Sequence, residues 1–295
     1  MNILVTGASG LIGAAIAEHL TRDGHSVLAL KRGKNETLPR WDPESEKIEL
    51  DGIPPLDAVI HLAGENVAGR WTAKKKRRIR DSRVQGTRLL CETVSRLPRR
   101  PQVLLSASAV GFYGDRGNET LDERSTSGGG FLAEVCREWE AATLPAAQRG
   151  IRVVNLRFGI VLTPAGGALK AMLVPLRLGL GGRIGSGRQY WSWIALSDVV
   201  RAARHGLLSE SLRGPVNVVA SQSITNREFI RTLGRVLRRP TCFPMPAFVA
   251  RTLFGQAADE LLLASAQVAP KRLRESGFHF EHPDLEPALR CLLNP

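Results

Sequence analysis

Short apolar runs recur along the chain at residues 3–5, 26–30, 58–62, 103–106, 153–156 and 216–219, separated by segments long enough for helices. Such a run, lacking the alternation of apolar and polar residues, suits a strand covered on both faces, as in a parallel sheet. The first unit is the clearest. Ile3, Leu4 and Val5 precede a Gly-rich stretch over residues 6–13; Leu11, Ile12, Ala15, Ile16 and Leu20 then share a helical face, and Gly24 closes the segment before the next strand. About thirty residues so arranged form a βαβ unit, and its recurrence predicts an α/β fold with a doubly wound parallel sheet.

After Arg157 the texture changes. Residues 163–167 and 178–188 read as loops, 226–238 and 246–263 as helices, and 270–294 as a Pro-punctuated tail ending in an amphipathic turn or two. Asp198 stands where it would cap a helix beginning at Val199. The pattern predicts a sheet domain over residues 1–162, completed by about residues 194–222, and a small C-terminal α/β cap drawn from 163–193 and 223–295.

At 295 residues, 43% hydrophobic and 23% charged, the chain has enough apolar material for a substantial core. It has no uninterrupted apolar stretch of about 18 residues and no basic leader before the first strand, so a cytoplasmic protein without a membrane partner is expected. Cys91, Cys136, Cys242 and Cys291 are far apart and without nearby histidines, so no metal site is expected. The formal charge of +13 raises a nucleic-acid reading. Its densest basic run, Lys74 to Arg80, sits in a helix-compatible stretch with no interleaved aromatic for base stacking, which is the texture of a solvated helix face; no specific nucleic acid is expected.

Gly7, Gly10 and Gly13 lie between a strand and a helix. The first permits the tight turn, the second lets backbone N–H groups reach a pyrophosphate, and the third allows close helix–sheet packing, which is the Rossmann-type arrangement. At the end of the second strand stand Lys31 and Arg32, where an acidic residue would bind a ribose 2′-hydroxyl. Two cations there favour a 2′-phosphate and hence NADP, unless both are merely solvated surface charges.

At Thr6-Gly-Ala-Ser-Gly-Leu-Ile-Gly13, Asp57-Ala-Val-Ile-His-Leu-Ala-Gly64 and Arg83-Val-Gln-Gly-Thr87 the sequence resembles the extended short-chain dehydrogenase/reductases. Ala63-Gly-Glu-Asn66, Ser106-Ala-Ser-Ala-Val-Gly-Phe-Tyr-Gly114, Trp139-Glu140, Ile184-Gly-Ser-Gly-Arg-Gln189 and Pro270-Lys-Arg-Leu273 resemble its atypical epimerase-family branch, and the likeness runs from Asn2 to about Leu293. It implies an NADP(H)-binding Rossmann domain with a substrate-side cap, and thus an oxidoreductase or epimerase on an unidentified small substrate. Gly7, Ser9, Gly10, Leu11, Ile12 and Gly13 would form the pyrophosphate turn, with Lys31 and Arg32 at the 2′-phosphate. Leu62, Ala63, Gly64 and Glu65 would line the adenosine or ribose, and Val161 would approach the nicotinamide. Arg83 replaces the Asn of typical members, either as a fixed cation close to the cofactor or as a helix-surface charge.

Members of this superfamily reduce or oxidise with a Tyr acid/base, a Lys four residues on, and a Ser or Thr holding the substrate oxygen. Ser108 stands in the serine position, but Leu132 and Cys136 occupy the other two, and neither supplies a proton donor with its cation. Tyr113 and Glu134 are the nearest replacements. Ser108 with Tyr113 forms the candidate catalytic pair; the alternative makes Tyr113 a packed aromatic with its hydroxyl bonded and Ser108 a satisfied hydroxyl at a strand end. Tyr190-Trp-Ser-Trp193 reads either as a pocket wall or as packing between sheet and cap, and Ala195 stands where relatives carry a His. A non-catalytic NADP(H)-binding or redox-sensing protein acting through partners therefore stands beside the enzyme reading. A monomer or a homodimer is expected, the latter opposed by the Lys/Arg run on one of the two helices through which extended relatives pair.

Overall fold

The computed structural model describes residues 1–33, 39–42 and 46–293. Its main sheet contains β1 (Asn2–Thr6), β2 (Ser26–Arg32), β3 (Arg40–Asp42), β4 (Lys47–Glu49), β5 (Ala58–His61), β6 (Val103–Ala109), β7 (Arg152–Phe158) and β8 (Gly214–Val218). Their spatial order is β8-β7-β6-β5-β1-β2-β3-β4, parallel throughout except for the β3–β4 pair.

The unbroken apolar runs are explained by what lies on each face. Ile3, Val5, Ile60, Leu105 and Val154 enter one core with Ile16 and Leu20 of α1 (Leu11–Arg22). The intervening Leu4, Val59, Leu104 and Val153 enter another with Leu90, Cys91 and Val94 of α2 (Ala73–Ser95). Each fully buried aliphatic side chain in these layers contributes about 1.5–3 kcal/mol, so neither face tolerates a polar alternation.

α3 (Phe131–Ala141) is followed by the short α4 (Leu144–Gln148), which opens with Pro145 in its first turn. A second apolar cluster joins α5 (Gly167–Arg177) and α7 (Asn226–Leu237) to Trp191, Trp193, Ala220 and the C-terminal helix Leu285–Leu293. α7 opens with a capping box in which Thr225 and Glu228 bond each other's backbone N–H.

Three expectations are corrected. The helix expected over 246–263 is broken: α8 (Ala247–Phe254) stops at Gly255, whose φ of 60° leaves the helical region, and the chain resumes in a short turn and a π-turn. Within the range expected to complete the sheet, about 194–222, β8 does so, whereas Trp193–Ala195 forms a separate strand beside Ile160–Leu162. α6 (Leu196–Leu208) starts before Val199, and Asp198, fully buried in its first turn, does not cap it: the carboxylate accepts the backbone N–H groups of Glu281 (2.7 Å) and His282 (2.9 Å), tying down the tail.

Candidate functional site

From β1 the chain moves to β2 on one side and eventually to β5 on the other, so a crevice opens at the carboxyl ends of β1 and β5, where such folds take their ligands. The glycine turn fills this position. Gly7 has φ 71°, and a Cβ on it would fall 2.9 Å from Ala63 N; one on Gly13 would fall 2.2 Å from Gly7 O; one on Gly10 would be 3.2 Å from the same oxygen. Gly7 and Gly13 are required by close backbone approaches, and Gly10 fits tightly. Ser9 and Gly10 are exposed at the tip, Leu11 and Ile12 are half-buried behind it, and Gly10 caps α1 without any side-chain bond to the helix N–H groups. That uncapped end is suited to an anion.

A buried relay holds the two strands in register beneath the turn. Thr6 Oγ1 accepts from Leu62 N (3.1 Å) and Ala63 N (3.2 Å), which fills its lone pairs and directs its proton to His61 Nδ1, 2.7 Å away. His61 is therefore assigned the tautomer with its hydrogen on Nε2, which lies 2.9 Å from Thr87 Oγ1 on α2. Sequence reasoning passed over this trio, although all three residues stand inside the strand and helix motifs it quoted.

Around the crevice, Lys31 is exposed near the end of β2, while Arg32 closes that strand with its side chain outside the described residues. Val161 is brought close to the turn: a Cβ on Gly167 would touch both Leu11 and Val161 O. Arg83 reaches under Gly64, donating through Nη1 to Glu65 O (3.0 Å) and Ile79 O (3.2 Å), with its guanidinium 5.0 Å from the centre of the Trp139 ring. It is half-buried, and burial depresses its pKa. Glu65 does not point its charge at the crevice unopposed, because Lys75 (2.7 Å) and Arg78 (3.0 Å) hold its carboxylate and keep its pKa low, the Lys75 bond foremost.

At the end of β6 the polar groups are committed to one another. Ser108, 2% exposed, donates to Glu140 Oε1 (2.7 Å); Arg157, 3% exposed at its side chain, bonds the same carboxylate through Nε (2.7 Å) and Nη2 (2.8 Å). Arg157 Nη1 donates to Tyr113 Oη (2.9 Å), whose own proton has Asn217 Oδ1 (2.8 Å) and Asp122 O (3.0 Å) within reach. Tyr113 is fully buried, and burial raises its pKa against the opposing pull of Arg157. An acid/base tyrosine needs the opposite shift and access to solvent or substrate. Ser108 and Tyr113 thus meet through Arg157 and Glu140 rather than as a pair facing the crevice.

The neighbouring positions follow the same logic. Leu132 packs over Gly111, and burial pushes the Cys136 thiol up to about 12. Glu134 is exposed and turned toward Arg80 (3.9 Å). The start of α3 is capped from the far end of the chain by Glu260, which accepts from Phe131 N (3.1 Å) and Leu132 N (2.7 Å). Trp191 and Trp193 lie in the second apolar cluster and are packing residues. The basic run is largely spoken for: besides the Glu65 pairs, Lys76 bonds Gln256 (3.0 Å), and Arg80 bonds Glu138. Among the described residues no group of His, Cys, Asp or Glu has a metal-holding arrangement, and no helix is long and apolar enough to cross a membrane.

A parallel sheet with a glycine turn at its strand-order reversal defines a dinucleotide-binding Rossmann protein of the extended short-chain dehydrogenase/reductase class. Residues 3–218 match the sequence profile of the NAD dependent epimerase/dehydratase family, and residues 245–292 match a domain of unknown function, DUF1731. The chain belongs to the NAD dependent epimerase/dehydratase family. It is 42% identical over 291 residues to the epimerase family protein Mb2239 of Mycobacterium bovis (97% of this chain, 96% of the relative). It is 36% identical over 303 residues to the chloroplastic SDR39U1 homolog of Arabidopsis thaliana (99% and 87%). The crystal structure of human epimerase family protein SDR39U1 (isoform 2) with NADPH superposes with a TM-score of 0.90 at 32% identity, covering 99% of each chain.

Proposed function

We propose that this protein binds NADP(H) in the crevice at β1 and β5 and acts as an oxidoreductase or epimerase on an unidentified small substrate, without the usual tyrosine–lysine pair. The observation that carries the reading is the glycine turn: Gly7 and Gly13 without room for a Cβ and Gly10 with a tight fit, leading into a helix whose N-terminus has no side-chain cap. The human relative crystallised with NADPH supports the phosphorylated cofactor. The backbone from Gly7 to Gly13 would hold the pyrophosphate, Leu62 to Glu65 would line the adenosine side, Arg83 and Val161 would border the remainder, and Lys31 and Arg32 would take the 2′-phosphate. When bound, the cofactor supplies or accepts a hydride; the chain's own part is to bind it, orient it and exclude water.

Calorimetric titration tests the cofactor half. NADPH should bind much more tightly than NADH, and Arg32→Ala should lose roughly ten- to a hundredfold in NADPH affinity, the worth of one charge-assisted bond, with little change for NADH. Equal affinities of the parent for the two cofactors would refute the assignment.

A second reading, a non-catalytic NADP(H)-binding or redox-sensing protein, is favoured by the closed network of Ser108, Glu140, Arg157 and Tyr113. Absent acid/base and electrostatic groups are each typically worth ~10²-fold or more in rate, so reduction of generic carbonyl compounds should be slow. Steady-state assays of Ser108→Ala and Tyr113→Phe beside NADPH fluorescence separate the two. Turnover that collapses in both variants at unchanged NADPH affinity supports a replacement catalytic pair; turnover that survives both removes these residues from the chemistry.

A further inference from the structure

Exposed leucines scattered singly need no explanation, but here they are gathered. Of nine exposed large apolar side chains among the described residues, six lie in two stretches, Val174, Leu178 and Leu180, and Phe243, Phe248 and Leu253, each 55–70% exposed. The backbone joins the stretches: Phe243 N donates to Gly181 O (3.3 Å), Met245 N to Arg183 O (2.9 Å) and Gly185 N to Met245 O (2.8 Å). α8, which carries Phe248 and Leu253, buries only Ala250.

Beside these residues lies a cavity of about 700 Å³ lined by Arg231, Arg235, Arg238 and Arg239 at the end of α7, with Pro240 at its edge. A Cβ on Gly179 would touch Pro240, so the basic cavity and the apolar tips are neighbours. Of the four arginines only Arg235 makes an ion pair among the described residues, with Glu286 (3.0 Å). The α7 arginines are set off from the glycine turn by α5, which begins beside Leu11 and runs roughly 16 Å before Leu178, while the far end of α8 reaches Arg70, whose Nη1 donates to Thr252 O (3.4 Å).

We propose that this surface docks on the anionic face of a phospholipid bilayer, with the arginines receiving headgroup phosphates and the apolar tips entering the interface. The arrangement of the groups favours a bilayer over a protein. The depression is rimmed by arginines, and the apolar side chains stand out around it on the end of α5 and the turn after it, at Phe243 in the loop before α8, and on α8 itself, as interfacial elements do. Guanidinium forks match phosphate, and Arg238 and Arg239 make no ion pair among the described residues, whereas Arg235 is held by Glu286. The expectation of no membrane partner rested on the absence of a spanning segment, which surface docking does not require.

The test is co-sedimentation of the full chain with phosphatidylcholine vesicles containing phosphatidylglycerol, against vesicles of phosphatidylcholine alone. Binding is expected to the anionic vesicles only, weakening with salt. Arg238→Glu/Arg239→Glu should reduce it at least tenfold, given about fivefold per basic residue at such a surface. Leu180→Asp/Phe243→Asp should reduce it as well, while both double variants keep the parent's melting temperature and NADPH affinity. Equal binding to both vesicles, or none, overturns the proposal. So does full competition by inorganic pyrophosphate, which would make the cavity a site for free phosphate, or a dimer in sedimentation velocity that the Asp variant dissolves, which would make the apolar face a contact between copies.

Discussion

At the glycine turn the backbone N–H groups that open α1 have no side-chain cap, and the exposed tip is built from residues with almost no side chain. At the end of β6, about one helix-width away in a sheet of this spacing, Ser108, Tyr113, Arg157 and Glu140 satisfy one another under cover. One end of the crevice keeps donors free for a ligand; the other spends its hydroxyls inside the protein. A buried polar group left unpaired costs about 1–3 kcal/mol, so a site retains open donors only where water or a ligand reaches them. The contrast teaches that two kinds of site are built differently in one fold: an open anion-sized turn depends on backbone shape, whereas a free hydroxyl depends on which side chains meet it.

The strongest way to break the contrast is to close the open end. Gly13→Ala would place a methyl group 2.2 Å from Gly7 O, forcing the turn apart. NADPH affinity should fall by on the order of a hundredfold, as expected for losing a charge-assisted hydrogen bond to the pyrophosphate. Calorimetry beside a thermal melt measures it, and an affinity within twofold of the parent would show that the turn does not form the binding surface.

Opening the closed end should affect stability rather than binding. Glu140→Gln leaves Arg157, 3% exposed, without its counter-charge and should cost about 3–5 kcal/mol in chemical denaturation. Replacing both by apolar residues of similar volume, Glu140→Leu with Arg157→Met, should recover most of that loss. A loss below about 1 kcal/mol in the single variant would mean that charge pairing does not hold this end together.

The mildest test is chemical labelling. Burial pushes both Cys91 and Cys136 up to about 12, so below that pH each remains a thiol, and each is shielded as well. At mildly alkaline pH iodoacetamide should modify the exposed Cys242 and Cys291 and spare the other two, as mass spectrometry of the peptides will read. Modification of Cys136 at the rate of Cys242 in the folded protein would show that the end of β6 opens, and would restore access to Ser108.

Much of this molecule was legible as a string. The apolar runs named six strands of the main sheet because residues buried on both faces leave no other pattern, and the glycine spacing located the turn because a backbone that must pass within 3 Å of another excludes every Cβ. The short β3 and β4 escaped, being three residues each and too brief to show a period. What the string could not decide was which polar residues meet. Glu140 and Arg157 are 17 positions apart, Tyr113 and Asn217 are 104 apart, and Glu260 caps a helix 128 positions earlier; nothing local in the sequence distinguishes these partners from other charged residues. Local sequence determines backbone shape, since that depends on neighbours along the chain. Whether a hydroxyl is free to do chemistry depends on neighbours in space, and only the folded chain decides them.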